Sequence, residues 1–241
     1  MAYIKETVRY GPFVDIKLYH TPRAYPERTE YRRPALKETT ASQQELNRRN
    51  AIDRLRRLIG GNFGAGDLHV QLKYIRKRGQ PYRTEEEMRK DIAAFHRRMR
   101  AEYRKLGLEY KYIHVMEIGQ RGARHHHMVI PAVDYKILQK HWNFARVTFT
   151  PLDSGDYRKL AEYLVKQTDS RFRDKTLMKQ RYNCSHNLKQ PEIRREKITR
   201  SSTYRRSVRP PKGYSLMRDT EVTGVDRYGH IFFKYTMVKI E

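Results

Sequence analysis

Between Tyr112 and Ile130 the chain reads YIHVMEIGQRGARHHHMVI, two alternating apolar and polar runs broken by Gly119 and Gly122. Alternation with a period of two marks a half-buried strand, and glycine supplies the backbone freedom that a short reversal needs. The stretch predicts an antiparallel hairpin, and a hairpin needs a sheet to belong to. On an extended strand His125 and His127 point to one face and His126 to the other. Glu117 lies eight positions before His125, so the hairpin can return its carboxylate beside the two imidazoles. One carboxylate and two nitrogens are a ligand set for a divalent cation. Three successive histidines can equally be a solvated or internally satisfied strand, so the set gains weight only from what surrounds it.

The surroundings begin at Leu68. Leu68, Val70, Leu72 and Tyr74 alternate with His69, Gln71 and Lys73, another half-buried strand with a polar face. Thr84 and Glu87 form a capping-box pattern ahead of a helix whose apolar stripe runs through Met88, Ile92, Phe95, Met99 and Leu106 until Gly107. After the histidine hairpin come a helix from Asp134 to Trp142 and a strand at 145–152. Asp153 or Ser154 then caps a last helix running to about Thr168. Strand, helix, strand, strand, helix, strand is a split β-α-β order. It predicts an α+β fold in which an antiparallel sheet carries its helices on one face and leaves the other face for a ligand. His69, Gln71, Lys73, Glu117, His125 and His127 all fall on the phase of that second face.

In the last helix Tyr163 and Lys166 are three residues apart and share a side, with Gln167 beside them, while Leu160, Leu164 and Val165 can hold the helix on the sheet. A Tyr-x-x-Lys pair alone is a weak pattern. It gains meaning downstream of a carboxylate-histidine set.

Charge narrows the partner. Lys and Arg outnumber Asp and Glu by 52 to 27, a formal charge of +25 on 241 residues, which favours a polyanion such as a phosphate backbone. No run approaches the ~18 apolar residues of a membrane span, and the opening MAYIKETVRYG lacks an apolar signal core, so no membrane role is expected. Cys184, the only cysteine, can form neither an internal disulfide nor a thiolate cluster, which fits a reducing cytoplasm. The glycines of GGNFGAG at 60–66 lack the Lys-Ser/Thr of a nucleotide-binding loop and are read as a helix stop.

The flanks are plainer. YIKETVRY and FVDIKLYH, parted by Gly11-Pro12, predict a hairpin-like arm, and the charged, proline-bearing stretch at 21–40 a linker. Ser42 and Glu45 introduce a helix whose polar face carries Arg48, Arg49, Arg54, Arg56 and Arg57. That face is either solvated or in contact with phosphates. Basic residues dominate 171–212, interleaved with Phe172, Tyr182 and Tyr204, a mixture suited to nucleic acid. The last residues predict a hairpin turning near Tyr228-Gly229. Three segments are therefore expected: 1–66 with arm, linker and basic helix; 67–170 as the core; 171–241 as a basic extension with a terminal hairpin.

At Glu117, RHHHMVI and YLVK the chain resembles the HUH endonucleases, in particular the single-tyrosine rolling-circle replication initiators of small plasmids and phages. The resemblance covers about residues 67–170. It implies a ferredoxin- or RRM-like core, with His125, His127 and Glu117 as ligands of Mn²⁺ or Mg²⁺, Tyr163 as the nucleophile and Lys166 as its support. His126 departs from the family pattern, which has an apolar residue there. Tyr157 and Tyr163 are six apart, about 240° around a helix of ~3.6 residues per turn, so a two-tyrosine site on one face is not expected. The implied activity is nicking and rejoining of single-stranded DNA at an origin, linear or folded as a hairpin. It leaves a 5′-phosphotyrosine and a free 3′-hydroxyl, in the cytoplasm of a bacterial host that lends its helicase and polymerase. Lys73, Arg121, Arg124, Gln167, Arg48 and Arg49 are the expected DNA contacts. A relaxase or transposase of the same superfamily, and a non-catalytic nucleic-acid-binding protein, remain the alternatives.

Overall fold

The computed structural model describes residues 2–21, 41–76, 80–119, 122–168, 181–198, 208–226 and 229–240. The described residues form a mixed α+β fold of four helices and two antiparallel five-stranded sheets. They fall into two units, one of residues 45–189 and one joining 1–44 with 190–241.

β1 (Ala2–Tyr10) and β2 (Phe13–Thr21) open the chain as a hairpin. The sequence predicts a hairpin-like arm here. A lone hairpin leaves two unpaired edges, and both are taken: β8 (Glu192–Lys197) pairs with β1, and β10 (Ile231–Lys239) pairs with β2 and with β9 (Tyr214–Val225). The terminal hairpin is thus present, but it completes the N-terminal sheet in the order β8-β1-β2-β10-β9. The first and last of the three expected segments share one unit, and the basic helix belongs almost wholly to the other. Most of the expected linker at 21–40, and Phe172, Tyr204 and Tyr228, lie outside the described residues.

The second unit starts with α1 (Ala41–Asn62). This helix runs through the glycine pair expected to stop it, since Gly60 sits on its buried face and Asn62 closes the end by donating to the Leu58 and Lys189 carbonyls. There follow β3 (Leu68–Lys73), α2 (Glu85–Lys105), β4 (Ile113–Ile118), β5 (Arg124–Ile130), α3 (Tyr135–His141), β6 (Thr148–Pro151), α4 (Arg158–Lys166) and the short β7 (Asn183–Cys184). Their sheet has the order β6-β3-β5-β4-β7. β5 lies between β3 and β4 and is antiparallel to both, the split β-α-β arrangement that the element order predicts.

Alternation sorts this sheet into two faces. Leu68, Val70 and Leu72 of β3 and Met128 and Ile130 of β5 pack with Ile92, Phe95, Met99 and Tyr103 of α2 and with Leu138 and Trp142 near α3. α2 starts with the predicted capping box, Thr84 accepting from the Glu87 N–H and Glu87 accepting from the Thr84 N–H. The other face was expected to be free of helices. It is not. Ile113, Val115 and Val129 on that face are fully or almost fully buried, and α4, which buries Ala161, Leu164 and Val165, lies against it. A row of apolar side chains at a sheet centre needs cover, and α4 supplies part of it while bringing Tyr163 to the strands.

Candidate metal centre and tyrosine

Register explains how the site forms. β4 and β5 pair Glu117 with His125 and Val115 with His127, so the carboxylate and both imidazoles stand on one face in adjacent rows. The reversal between the strands is held by the Gly119 N–H on the Ala123 carbonyl and the Gly122 N–H on the Gly119 carbonyl, with Gly122 at φ +80°. No side chain fits that corner easily, since a Cβ on Gly122 would stand 2.9 Å from the Tyr82 ring.

Nε2 of the fully buried His127 donates to Oε2 of Glu117 at 2.6 Å, and Nδ1 of His125 lies 3.6 Å from the same oxygen, too far for a hydrogen bond. His125, then His127, hold the Glu117 carboxyl down to about 2, so it is ionised at neutral pH. One ligand atom from each of Glu117, His125 and His127 lies within 4.8 Å of the others. Nδ1 of His125 is buried without a hydrogen-bond partner. A negative oxygen and two imidazoles, one with an unsatisfied nitrogen, converging on one point fit a divalent cation, and the cluster can coordinate one.

Tyr163 projects from α4 onto this cluster. Its ring meets that of His127 edge-on with centroids 5.3 Å apart, and that of His69 edge-on at 5.9 Å, while the His69 and His127 rings stack at 5.6 Å. The tyrosine is 39% exposed, so a ligand can reach it. Its phenol is pushed above the usual range, first by burial and then by the negative charge of Glu117. His69 is pushed down to about 4 by burial and by His127, and therefore stands neutral. The sequence placed His69 on the site face without singling it out; its even spacing from Gln71 and Lys73 was the available signal.

His126 faces the other way and is fully buried. Nε2 of His126 lies 3.0 Å from the Tyr74 hydroxyl, and Nδ1 lies 2.9 Å from Nε2 of His114. Burial, and then the nearby Asp91 carboxylate, push the Tyr74 phenol well above its usual range. One set of protons satisfies both contacts: His114 donates to His126, and His126 donates to Tyr74. Burial pushes His126 down to about 3 and His114 well below its usual range, in keeping with neutral rings. The residue that departs from the family pattern is thus a buried hydrogen-bond pillar between the two candidate ligands.

The remaining predicted residues scatter. Lys166 is exposed in the last turn of α4, and Gln167 caps that helix, its N–H on the Tyr163 carbonyl. Lys73 pairs in register with His125 and shares the phase of the site face. Arg124 is on the opposite phase, donating to the Arg83 carbonyl and lying over the Tyr82 ring, so alternation carries it away from the cluster. Arg48 and Arg49 both reach Glu45 along α1. Arg121 lies outside the described residues. Arg56, read with its neighbours as part of an exposed basic face, is instead 2% exposed and tied to Asp156 and Asp53. The expected cap at Asp153 or Ser154 is also displaced. α4 begins at Arg158, after Tyr157 in the left-handed region at φ 57°, and Asp156 accepts the Arg158 N–H.

No helix among the described residues is long and apolar enough to cross a membrane. No curated protein and no solved structure matches the chain. The family model for the replication-associated protein ORF2/gene 2 protein matches residues 68–171, the stretch from β3 past the end of α4 that holds the cluster and the tyrosine. Over this stretch the chain is similar to that family of replication-associated proteins, in keeping with its resemblance to HUH rolling-circle initiators.

Proposed function

We propose that this protein nicks and rejoins single-stranded DNA at a replication origin by tyrosine transesterification. The observation that carries the reading is the meeting of Tyr163 with the face of the Glu117–His125–His127 cluster. A plain metal phosphoesterase has no need of a tyrosine at that point. The hydroxyl oxygen of Tyr163 bonds to a backbone phosphorus while the bond from phosphorus to the 3′ oxygen breaks. The phenol proton ends on the departing 3′-hydroxyl, and the 5′ end stays on the protein as a phosphotyrosine. The reverse reaction rejoins strands, because the ester keeps the bond energy.

Glu117, His125 and His127 would hold Mn²⁺ or Mg²⁺, which would supply Lewis-acid polarisation of a phosphate oxygen and offset the Glu117 charge that helps raise the phenol. The chain's own residues do the rest. His69 and His127 limit where the Tyr163 ring can lie, and the residue is exposed enough for substrate to reach it. Lys166 offers a cation for developing phosphate charge, and Lys73 one for the strand beside His125. The excess of 52 basic over 27 acidic residues suits a DNA backbone. The match to replication-associated proteins supports a role in replication, and we read that role as rolling-circle copying of a plasmid or phage in a bacterial cytoplasm, with host helicase and polymerase completing the copy.

The test is incubation of the purified full chain with labelled single-stranded origin DNA and Mn²⁺. A covalent adduct that disappears in Tyr163→Phe and in His127→Ala supports the reading. Cleavage that persists in Tyr163→Phe would assign the nucleophile to water, and binding without cleavage would leave a non-catalytic DNA-binding protein.

A further inference from the structure

A closed ring of four charges joins α1 to the start of α4. Nη1 of Arg56 lies 3.4 Å from Oδ2 of Asp156, and Nε of Arg158 lies 3.7 Å from the same oxygen. Nη1 of Arg158 lies 3.3 Å from Oδ1 of Asp53, and Nε of Arg56 lies 4.0 Å from that oxygen. Each arginine thus sees both aspartates and each aspartate both arginines. The members differ in depth: Arg56 is almost wholly inside, whereas Arg158 and Asp53 retain 32% and 26% of their side-chain exposure.

The ring sits where α4 needs a fixed origin. Tyr157, the residue before the helix, offers no side-chain cap and adopts φ 57°, a conformation that bulky residues rarely hold unaided. Asp156 repairs this end with both oxygens, Oδ1 accepting the Arg158 N–H and Oδ2 facing Arg56. A charged side chain buried to this degree is costly unless its partners are held in place. Arg56 keeps its contact across to α4 while Asp156, and with it the first turn of α4, stays in one position. Tyr163 follows five residues after Arg158 on a helix of only nine residues, so a shift or rotation of the first turn passes to its ring.

We propose that Arg56, through the Asp53–Asp156–Arg158 ring, is a positioning residue that sets the placement of Tyr163 over the metal cluster. It acts on the helix and touches neither DNA nor metal. The inference rests on the reading of Tyr163 as the nucleophile. A misplacement of about 1 Å can cost about 100-fold in a reaction of this kind, so the expected loss lies in the rate of the bond-forming step and leaves binding in place.

The experiment compares Arg56→Met, Arg56→Lys and Asp156→Asn with the wild-type full chain. Asp156→Asn keeps an oxygen for the Arg158 N–H while removing the charge. Four readouts are taken: the melting curve, Mn²⁺ affinity, affinity for single-stranded origin DNA, and the single-turnover rate of adduct formation at saturating DNA. Arg56→Met should keep both affinities within about twofold and lose 10- to 100-fold in rate, with Arg56→Lys recovering part of it. Should Arg56→Met fail to fold, Asp156→Asn decides, with the same split expected. A wild-type rate in the folded variants, or a rate loss matched by equal losses in Mn²⁺ and DNA affinity, overturns the positioning role. Absence of any adduct from the wild-type protein is a different result and rejects the nucleophile reading itself.

Discussion

Tyr163 and His127 meet edge-on, ring centroids 5.3 Å apart and planes at 84°, so the candidate nucleophile and a candidate ligand share one wall. His125 also belongs to the cluster, but its ring contact is with His127 at 6.2 Å. The two histidines should therefore fail differently. His125→Ala is expected to weaken Mn²⁺ binding at least 10-fold while a large excess of Mn²⁺ restores part of the adduct. His127→Ala should lose Mn²⁺ affinity and remain inactive at saturating metal, because Tyr163 has also lost its support. Calorimetric titration of Mn²⁺ beside adduct yields at rising metal separates the two.

Gly122 should prove intolerant of any side chain. An alanine there must take φ near +80° and place its Cβ 2.9 Å from Tyr82. The expected cost is about 1–2 kcal/mol of stability, read as a lower denaturant midpoint. Mn²⁺ affinity should fall with it, since the same turn sets Glu117 against His125.

The buried histidines behind the sheet predict a pH dependence. His96, stacked on Tyr112 at 3.8 Å and bonded to the Tyr110 hydroxyl, is pushed down to about 4 by burial and Arg100, and His126 to about 3 by burial and neighbouring histidines. Unfolded, both return to ~6.5. Between the folded and unfolded values the unfolded chain binds more protons, so stability rises with pH. The contribution is complete above about 6.5 and declines steadily as pH falls toward 4. Melting temperatures measured from pH 7.5 down to 4.5 should fall accordingly, and His96→Phe should flatten that slope.

Lys73 should act on DNA without acting on the metal. Its register beside His125 puts it next to the cluster, where the proposed DNA strand would enter. Lys73→Ala should weaken single-stranded DNA binding and reduce the slope of log affinity against log salt by about 0.7, the value for one phosphate contact on a single strand. Mn²⁺ affinity should remain within twofold. An unchanged slope would place Lys73 off the DNA path.

The sheet of residues 45–189 was legible because its strands alternate and α2 carries a capping box, both local signals. The Glu117, His125 and His127 set was legible for the same reason: a tight hairpin converts sequence spacing into spatial register. Arg56 was not, because an arginine on a helix reads as surface until its partner Asp156, 100 residues away, is known. Nor was the role of β1 and β2, whose edges are completed by strands at the other end of the chain. Arg124 shows the limit of charge as a guide. One step along a strand reverses the face, and the step from His125 to Arg124 moves a candidate DNA contact to the α2 side.

The central claim is that Tyr163 becomes covalently joined to DNA. The most direct measurement is mass spectrometry of the adduct after nuclease trimming and proteolysis. The account predicts a nucleotide phosphate on the peptide containing Tyr163, with fragment ions that place it on that side chain, formed only when Mn²⁺ or Mg²⁺ is present. A nucleotide on Tyr157 or another residue, or cleaved DNA with no modified peptide, would contradict it.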